Sequence, residues 1–202
     1  MKHNSFLTLF LIVSLALFTA CGGSKTGHSR ITDQGIDPIV LGAKASDLPA
    51  QIDGLYDSFE VIVFEDTETG FMPSRTYAQF KRGDQIIIEA DLNADDSETI
   101  ESIYIFDPAI TYKGIGAGTP LSEVLGAGAK LYMVGNYESC IFDSFFRLDG
   151  VTFAFELFNG GSFSQAKQQE LYSINFDELT EVPASNADFQ SGATVSKICI
   201  IP

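Results

Sequence analysis

Short patterns from the first half of this 202-residue sequence return in the second half in the same order. One is a glycine, three residues, a serine, an acid and an aliphatic residue; another is a threonine followed by an Ile-rich run. The matches pair residues 42–48 with 118–124, 80–84 with 146–150, and 99–106 with 194–201. Each match alone is short, but their shared order predicts two copies of one structural unit.

A helix is predicted at the start of each copy. In the second copy Thr119 can cap it, Pro120 suits its first position and Gly126 can end it. In the first copy Ser46 is the expected cap, and Pro49 is tolerated in the opening turn. Because antiparallel strands follow each helix, we predict the fold class α+β, with two tandem copies of a helix plus antiparallel-sheet unit at residues 31–109 and 110–202.

Apolar and β-branched runs predict the strands of each copy. Asp149-Gly150 is a strong two-residue hairpin signal, and Arg82-Gly83-Asp84 predicts a second turn. The strands are expected at residues 59–64, 77–81, 85–92, 100–106, 145–148, 151–157 and 194–201. An insertion in the second copy is expected to hold a helix at residues 164–172 and a loop at residues 180–188.

Three resemblances follow from these patterns. The tandem arrangement resembles the fold of β-lactamase inhibitor proteins, and the Gly-x-x-x-Ser-acid-aliphatic element resembles the helix start of small outer-membrane assembly lipoproteins. The stretches Gly-Ile-Asp-Pro-Ile-Val-Leu-Gly at 35–42 and Gly-Leu-Tyr-Asp at 54–57 resemble uncharacterised lipoproteins of Bacteroidetes. These resemblances imply a fold and an envelope location, but a shared fold does not carry a function.

The N-terminus has the pattern of an export signal. Lys2 precedes an uncharged apolar run at residues 6–20, which is shorter than the roughly 20 residues of a membrane-spanning helix. The run ends in Leu-Phe-Thr-Ala-Cys at 17–21, which resembles a lipobox. We therefore predict a lipoprotein signal peptide at residues 1–20, lipid attachment at Cys21, and a flexible tether at residues 21–30. The tether has no acidic residue, which by resemblance favours the outer membrane with the protein facing the periplasm.

Composition excludes several classes of function. Loss of residues 1–20 removes one lysine and leaves 11 basic against 27 acidic residues, a net charge of −16, which opposes binding to nucleic acid. Both histidines, His3 and His28, precede the predicted folded region, which excludes Ser-His-Asp and Cys-His catalysis and zinc sites that need histidine. Because no phosphate-binding glycine motif occurs either, we expect no cofactor.

An acidic stretch between two predicted strands offers one metal hypothesis. Asp91, Asn93 and Asp95 have the spacing of the first ligands in a calcium-binding loop. An EF-hand would require glycine at Asp96 and a bidentate glutamate at Ser102, and its flanks would be helices. The alternative, a solvated turn between strands, accounts for the same residues and is favoured.

Aromatic and thiol residues leave two further questions. Seven phenylalanines at 142, 145, 146, 153, 155, 158 and 163 form either a buried core or a hydrophobic binding surface, and strict alternation in 151–157 favours core. Tyr56 either contacts a ligand or closes a helix–sheet junction. Cys140 and Cys199 could form a disulfide in the periplasm, but we expect free thiols, with Cys199 on the less buried side of its strand.

Together these features predict a membrane-anchored cell-envelope lipoprotein that acts as a non-catalytic binding or protein-interaction module. Its expected partners are the membrane, through the lipid anchor, and an envelope protein of cationic or neutral character. The alternative is a carboxylate-dependent hydrolase such as a glycosidase, since an acidic chain always offers carboxylate pairs. A deep cleft with two carboxyls would favour the enzyme, whereas a flat or shallow concave sheet would favour the binding module.

Overall fold

A computed structural model describes residues 31–48, 55–65, 74–136, 141–155 and 162–202 of this chain. Twelve strands make up most of this part of the chain. They are β1 Ile31–Thr32, β2 Gly35–Ile36, β3 Ile39–Val40, β4 Ser58–Phe64, β5 Arg75–Arg82, β6 Gln85–Leu92, β7 Ile100–Ile105, β8 Lys130–Asn136, β9 Ile141–Leu148, β10 Val151–Phe155, β11 Asn175–Val182 and β12 Val195–Ile200. The helices are short: α1 is Leu121–Gly126, α2 is Gln165–Leu171, and 3-10 helices cover Ala45–Asp47 and Asn186–Asp188.

Nine of the strands form one antiparallel sheet, and β1, β2 and β3 form a small second sheet. The order in the large sheet is β11-β8-β9-β10-β12-β7-β6-β5-β4. The two Ile-rich strands β7 and β12 therefore pair with each other at its centre, where Ile198 lies opposite Ile105 and Ile200 lies opposite Ile103.

The predicted α+β class is wrong, because the described part of the chain is mostly β-sheet and shows no helix-plus-sheet repeat unit. Where the first helix was expected, the chain makes one 3-10 turn at Ala45–Asp47 without a side-chain cap, and Ser46 lies inside it. In the second half, the Thr119 hydroxyl accepts a hydrogen bond from the Gly116 amide instead of capping α1. Helices this short form only when tertiary packing supports them, so capping signals alone could not extend them.

The matched sequence segments nevertheless make corresponding backbone contacts. The Gly42 amide donates to the Ile100 carbonyl at 2.9 Å, and the Gly118 amide donates to the Val195 carbonyl at 2.8 Å. An isolated bridge joins Lys44 to Thr99 in the same way as another joins Pro120 to Thr194. In each half, these contacts pair the matched glycine segment with the Ile-rich strand that closes that half, β7 in the first and β12 in the second. The division into domains at residues 31–109 and 110–202 stays a prediction.

The local turn signals are confirmed, and one loop prediction is wrong in part. Asp149 and Gly150 both have positive φ, as a two-residue hairpin requires, and they join Leu148 to Val151. The insertion helix is present as α2. Its predicted first residue, Ser164, is the N-cap, and the Ser164 side chain accepts a hydrogen bond from the Lys167 amide. Residues 180–182, however, belong to strand β11, which was expected to be loop. This strand is exposed and acidic, so only its pairing with β8 identifies it.

A single hydrophobic core lies against one face of the large sheet. Phe80, Phe146 and Phe153 are completely buried there, and Ile36 from the small sheet and Val124 from α1 belong to the same cluster. Because successive side chains on a strand point to opposite faces, the alternate residues of β4–β10 and β12 must lie on the other side of the sheet. That second face positions the candidate site.

Candidate functional site

One row of side chains crosses eight strands on the face of the large sheet away from the core. It is defined by successive cross-strand partners from β8 to β4. The row is Lys130, Arg147, Thr152, Cys199, Tyr104, Glu89, Gln79 and Glu60. We call the surface formed by this row and its neighbours on the same side the open face. The neighbours, taken two residues along each strand, are Tyr132, Phe145, Ala154, Lys197, Ser102, Asp91, Tyr77 and Ile62.

The open face differs in chemistry from the core face. Residues at its middle are buried: Thr152, Ser102 and Gln79 have exposed fractions of 2%, 8% and 9%. Around them, Tyr104 and Arg147 are half-buried. Buried polar groups are costly unless they are hydrogen-bonded, so a face of this composition suits water or a polar partner.

Cations stack on aromatic rings at three places on this face. The Arg75 guanidinium lies 4.2 Å from the ring centre of Tyr77, and the Lys197 ammonium lies 4.2 Å from that of Tyr104. Arg147 lies 5.3 Å from the ring centre of Phe145 and 5.5 Å from that of Tyr132. Such contacts hold long cationic side chains close to the sheet and stabilise them by about 0.5–1 kcal/mol at exposed sites.

A polar network covers the part of the open face formed by β5, β6 and β7. Arg75 pairs with Glu89 and lies 3.5 Å from Asp91, while the Gln79 amide donates to Glu89 at 3.1 Å. The Ser102 hydroxyl donates to Asp91 at 3.1 Å. Both carboxylates thus contact Arg75, but one arginine faces two acids, so the network keeps a formal charge of −1 and the Oδ1 atom of Asp91 has no hydrogen-bond partner among the described residues.

Burial also affects the tyrosine beside this network. Desolvation is the main cause that raises the pKa of Tyr104 above its ordinary value, and the nearby Asp91 carboxylate adds to the rise. Tyr104 is therefore a neutral phenol at physiological pH. It can donate or accept a hydrogen bond at the surface, but it is not an activated base.

Cys199 occupies the centre of the open face, on the less buried side of β12 as predicted. It lies on the face opposite Ile198, as the alternation indicates, but it is 6% exposed because strands β7 and β10 flank it on both sides. The thiol is free. Burial raises its pKa to about 11, against a smaller lowering by Lys197, so it stays protonated and is a poor nucleophile. Its suggested disulfide partner, Cys140, lies outside the described residues.

The acidic loop uses its oxygens for its own turn. The Asn93 side-chain oxygen accepts from the Asp95 amide at 2.8 Å, and the Asn93 amide group donates to Glu101. Asp96 accepts from the backbone of Glu98 and from Thr99, and these hydrogen bonds lower its pKa to about 2. The part of the chain that the structure describes contains no group of three His, Cys, Asp or Glu residues placed to hold a metal.

The hypothesised calcium ligands are separated by the strand end. Asp91 belongs to β6 and faces Ser102 across the sheet, whereas Asn93 and Asp95 lie in the loop that follows. This arrangement is that of a solvated turn held by side-chain-to-backbone hydrogen bonds. The calcium site itself stays a hypothesis.

The phenylalanine-rich segment divides between the two faces. Phe146, Phe153, Phe155 and Phe163 are at most 5% exposed and belong to the core, and Phe155 and Phe163 meet edge to face at 5.6 Å. Phe145 lies instead on the open face, with its ring stacked 6.3 Å from Tyr132. Neither the side chain of Phe142 nor residue Phe158 is among those described.

Tyr56 belongs to the core and does not present a ligand-binding surface. It is 1% exposed and meets the Phe80 ring edge to face at 5.0 Å. Burial raises the pKa of Tyr56 to about 12. These contacts fit the structural interpretation of the residue, which closes the junction between the chain before β4 and the core.

A depression of about 420 Å³ lies beside α2. It is lined by Gln165, Gln168, Gln169 and Tyr172. These side chains can donate and accept hydrogen bonds, but none of them is a carboxylate. The depression therefore offers no pair of acids of the kind that glycoside hydrolysis requires.

Two parts of the site prediction concern the membrane. Cys21, the predicted lipid attachment site, lies outside the described residues together with the signal and the tether. Among the residues that are described, no helix is long and apolar enough to cross a bilayer.

The open face is not predicted by the sequence patterns of the individual strands. The sequence does carry one sign of this face. Aromatic or basic residues alternate with buried apolar residues, as in Phe145-Phe146-Arg147 of β9 and Lys130-Leu131-Tyr132 of β8. Alternation shows which residues share a face within one strand. The juxtaposition of Arg147, Tyr132 and Lys197 requires the strand order, which a single sequence does not contain.

Comparisons with known proteins add a fold likeness. The chain is similar to the solved structure of the uncharacterized protein yfeY from Escherichia coli, at 15% sequence identity and a TM-score of 0.44. The match covers 84% of this chain and 97% of that chain. No family model matches the sequence, and no curated protein matches it.

Proposed function

We propose that this chain is a membrane-anchored cell-envelope lipoprotein whose open face is a non-catalytic binding surface for another envelope protein. The observation that carries the proposal is the open face itself. It is a broad sheet surface with half-buried aromatic rings and charged side chains, including Tyr132, Phe145 and Arg147. Aromatic residues and arginine are enriched in protein interfaces and supply much of their binding energy.

The N-terminal pattern supports the location. A lipobox-like ending before Cys21 is followed by ten residues of tether, and strand β1 begins directly after them at Ile31. In this proposal a lipid on Cys21 holds the folded region to the outer membrane, facing the periplasm. The motifs at residues 35–42 and 54–57 add the resemblance to lipoproteins of Bacteroidetes.

The carboxylates of the open face favour binding over hydrolysis. Glu89 is held by Arg75 and Gln79, and Asp91 is held by Ser102 and Arg75. A general acid needs free access to the substrate, whereas both of these carboxylates already contact neighbouring side chains of the sheet. We expect the purified protein to hydrolyse neither glycoside, ester nor peptide substrates above the blank rate. Hydrolysis that disappears with a single Asp or Glu substitution would contradict this expectation.

A photo-crosslinking experiment tests the binding surface. A photoreactive phenylalanine analogue is placed at Tyr77 or Tyr132 on the open face, in the full chain expressed in its producing cells. The control position is Tyr172, a residue of the same type that is 54% exposed beside α2. Discrete crosslinked products from Tyr77 and Tyr132, and not from Tyr172, are expected. The same products from all three positions, or none from the open face, would refute the proposal.

A further inference from the structure

Two cations stand apart from all others in the described part of the chain. Nine Lys and Arg residues are described, and seven of them pair with a carboxylate. The paired residues are Lys44, Arg75, Lys81, Arg82, Lys113, Lys130 and Lys167. Among the described residues, no carboxylate lies within salt-bridge distance of Arg147 or Lys197.

Both of these cations lie on the open face, on strands β9 and β12 with β10 between them. Arg147 is opposite Thr152, and Lys197 is opposite Ala154, two residues further along β10. Two strand spacings and a two-residue offset put their Cα atoms about 12 Å apart. Ala154 lies on β10 between them, and its side chain is shorter than those of the two cations beside it.

Aromatic rings hold the two cations in place without neutralising them. Lys197 lies over Tyr104, and Arg147 lies over Tyr132 and Phe145. The Nε atom of Arg147 is buried and has no hydrogen-bond partner in the structure. An arginine held in this way retains donors for a further acceptor, and its planar group matches a carboxylate bidentately.

We propose that Arg147 and Lys197 form the part of the open face that receives carboxylate side chains of an acidic segment in the protein partner. This inference rests on the proposed binding surface and specifies the partner's chemistry. It revises the partner expected from net charge alone, because interfaces respond to local potential. The overall charge of −16 repels acidic partners at long range, but the two unpaired cations reverse the sign locally.

The surroundings of the pair favour a protein over a sugar chain or a lipid surface. An acidic glycan would bind best where its sugar rings can stack on uncovered aromatic rings. Here the two cations already cover a face of Tyr104, Tyr132 and Phe145. An anionic bilayer extends beyond the pair and would meet the acids around it. On this half of the open face, Glu181 is held by Lys130, and Asp143 lies four residues from Arg147 on β9.

The first test measures binding of three defined anionic probes to the full chain purified from membranes in detergent. The probes are a fluorescent deca-glutamate peptide, an oligogalacturonate, and vesicles containing phosphatidylglycerol. We expect the peptide to bind at low salt and to weaken as salt rises, as paired charges require. Preference for the oligogalacturonate or for the vesicles would overturn the assignment to an acidic protein segment.

A matched pair of double variants separates local from overall charge. Arg147→Gln with Lys197→Gln is expected to weaken peptide binding about tenfold or more, since charge-assisted hydrogen bonds are lost. Lys44→Gln with Lys113→Gln removes the same charge from two exposed, paired lysines and should leave binding within about twofold. Equal loss in both double variants would overturn the inference. So would unchanged binding in the first variant, provided that its unfolding midpoint matches that of the wild type.

A further experiment distinguishes failure of this inference from failure of the proposed function. The Arg147 and Lys197 double variant is also combined with the photoreactive group at Tyr77, which lies on the far half of the open face. Loss of the crosslinked product supports the inference. A product that persists unchanged shows that a partner docks on the open face but does not use the two cations, so the inference fails while the proposed function stands.

Discussion

Replacing two adjacent phenylalanines tests whether the two faces of the large sheet are assigned correctly. Phe146 is fully buried and packs on Phe155 and Phe189 with ring centres 5.4 Å and 5.5 Å away. Its neighbour Phe145 is half-buried on the open face. Because a one-residue shift in register would exchange their environments, the pair reports directly on which face is the core.

The expected magnitudes follow from burial. Phe146→Ala removes a completely buried ring and leaves a cavity, which costs about 3–5 kcal/mol of unfolding free energy. Phe145→Ala removes a ring that remains partly in water, and half of the transfer free energy of a buried phenylalanine is about 0.8–1.5 kcal/mol. The difference of about 2 kcal/mol or more exceeds the error of a careful denaturation measurement.

The assay is urea unfolding of residues 21–202 with Cys21 replaced by serine, followed by circular dichroism. Phe146→Ala should lower the midpoint clearly more than Phe145→Ala, with similar slopes in all three proteins. Equal destabilisation by the two substitutions, or a larger effect of Phe145→Ala, would refute the assignment of faces and with it the open face.

Further predictions concern the anchor, the buried thiol and the acidic turn. Cys21→Ala should abolish metabolic labelling with a fatty acid, and equal labelling of this variant and the wild type would contradict lipid attachment at Cys21. In a Cys140→Ala background, the thiol of Cys199 should react with a maleimide slowly at neutral pH and rapidly after unfolding, because burial raises its pKa to about 11; fast reaction in the folded protein would show that the site is open. The pKa of Asp96 is lowered to about 2 from an ordinary value of 3.8 by hydrogen bonds from Thr99 and Glu98. A lowered carboxyl pKa stabilises the fold above the ordinary value, and this contribution is lost as pH falls from about 4 to about 2. NMR titration of the Asp96 carboxyl checks this, and a midpoint near 4 would contradict the hydrogen-bonded turn.

Local sequence signals predicted the hairpins of this fold well. The turn at Asp149-Gly150 needs positive φ at both positions, which this dipeptide accepts more readily than most, so the sequence specifies it locally. Strand β6 was expected at the residues where it occurs, because its apolar run is bounded by turn residues. Such features depend on neighbours in the sequence and need no knowledge of the rest of the chain.

The errors share a different cause, which is dependence on distant partners. Helix signals around Ser46 were real but spanned too few residues to form more than a 3-10 turn. Strand β11 carries Asp177, Glu178 and Glu181 and is recognisable only through its pairing with β8. Cys199 lies on the predicted, less buried side of its strand, but the extent of its own burial comes from strands that lie elsewhere in the sequence.

The composition of the open face restricts the kind of complex it can form. A dry hydrophobic interface would have to desolvate Arg75, Glu89 and Asp91 together, and the cost of burying ion pairs often exceeds their mutual attraction. Because this network is already paired, a partner gains little by breaking it and can retain water above it. The unpaired Arg147 and Lys197 lie on the other half, where a polar partner could add hydrogen bonds without displacing any. An interface centred on that half would therefore be polar and hydrated, and its association rate would depend on salt.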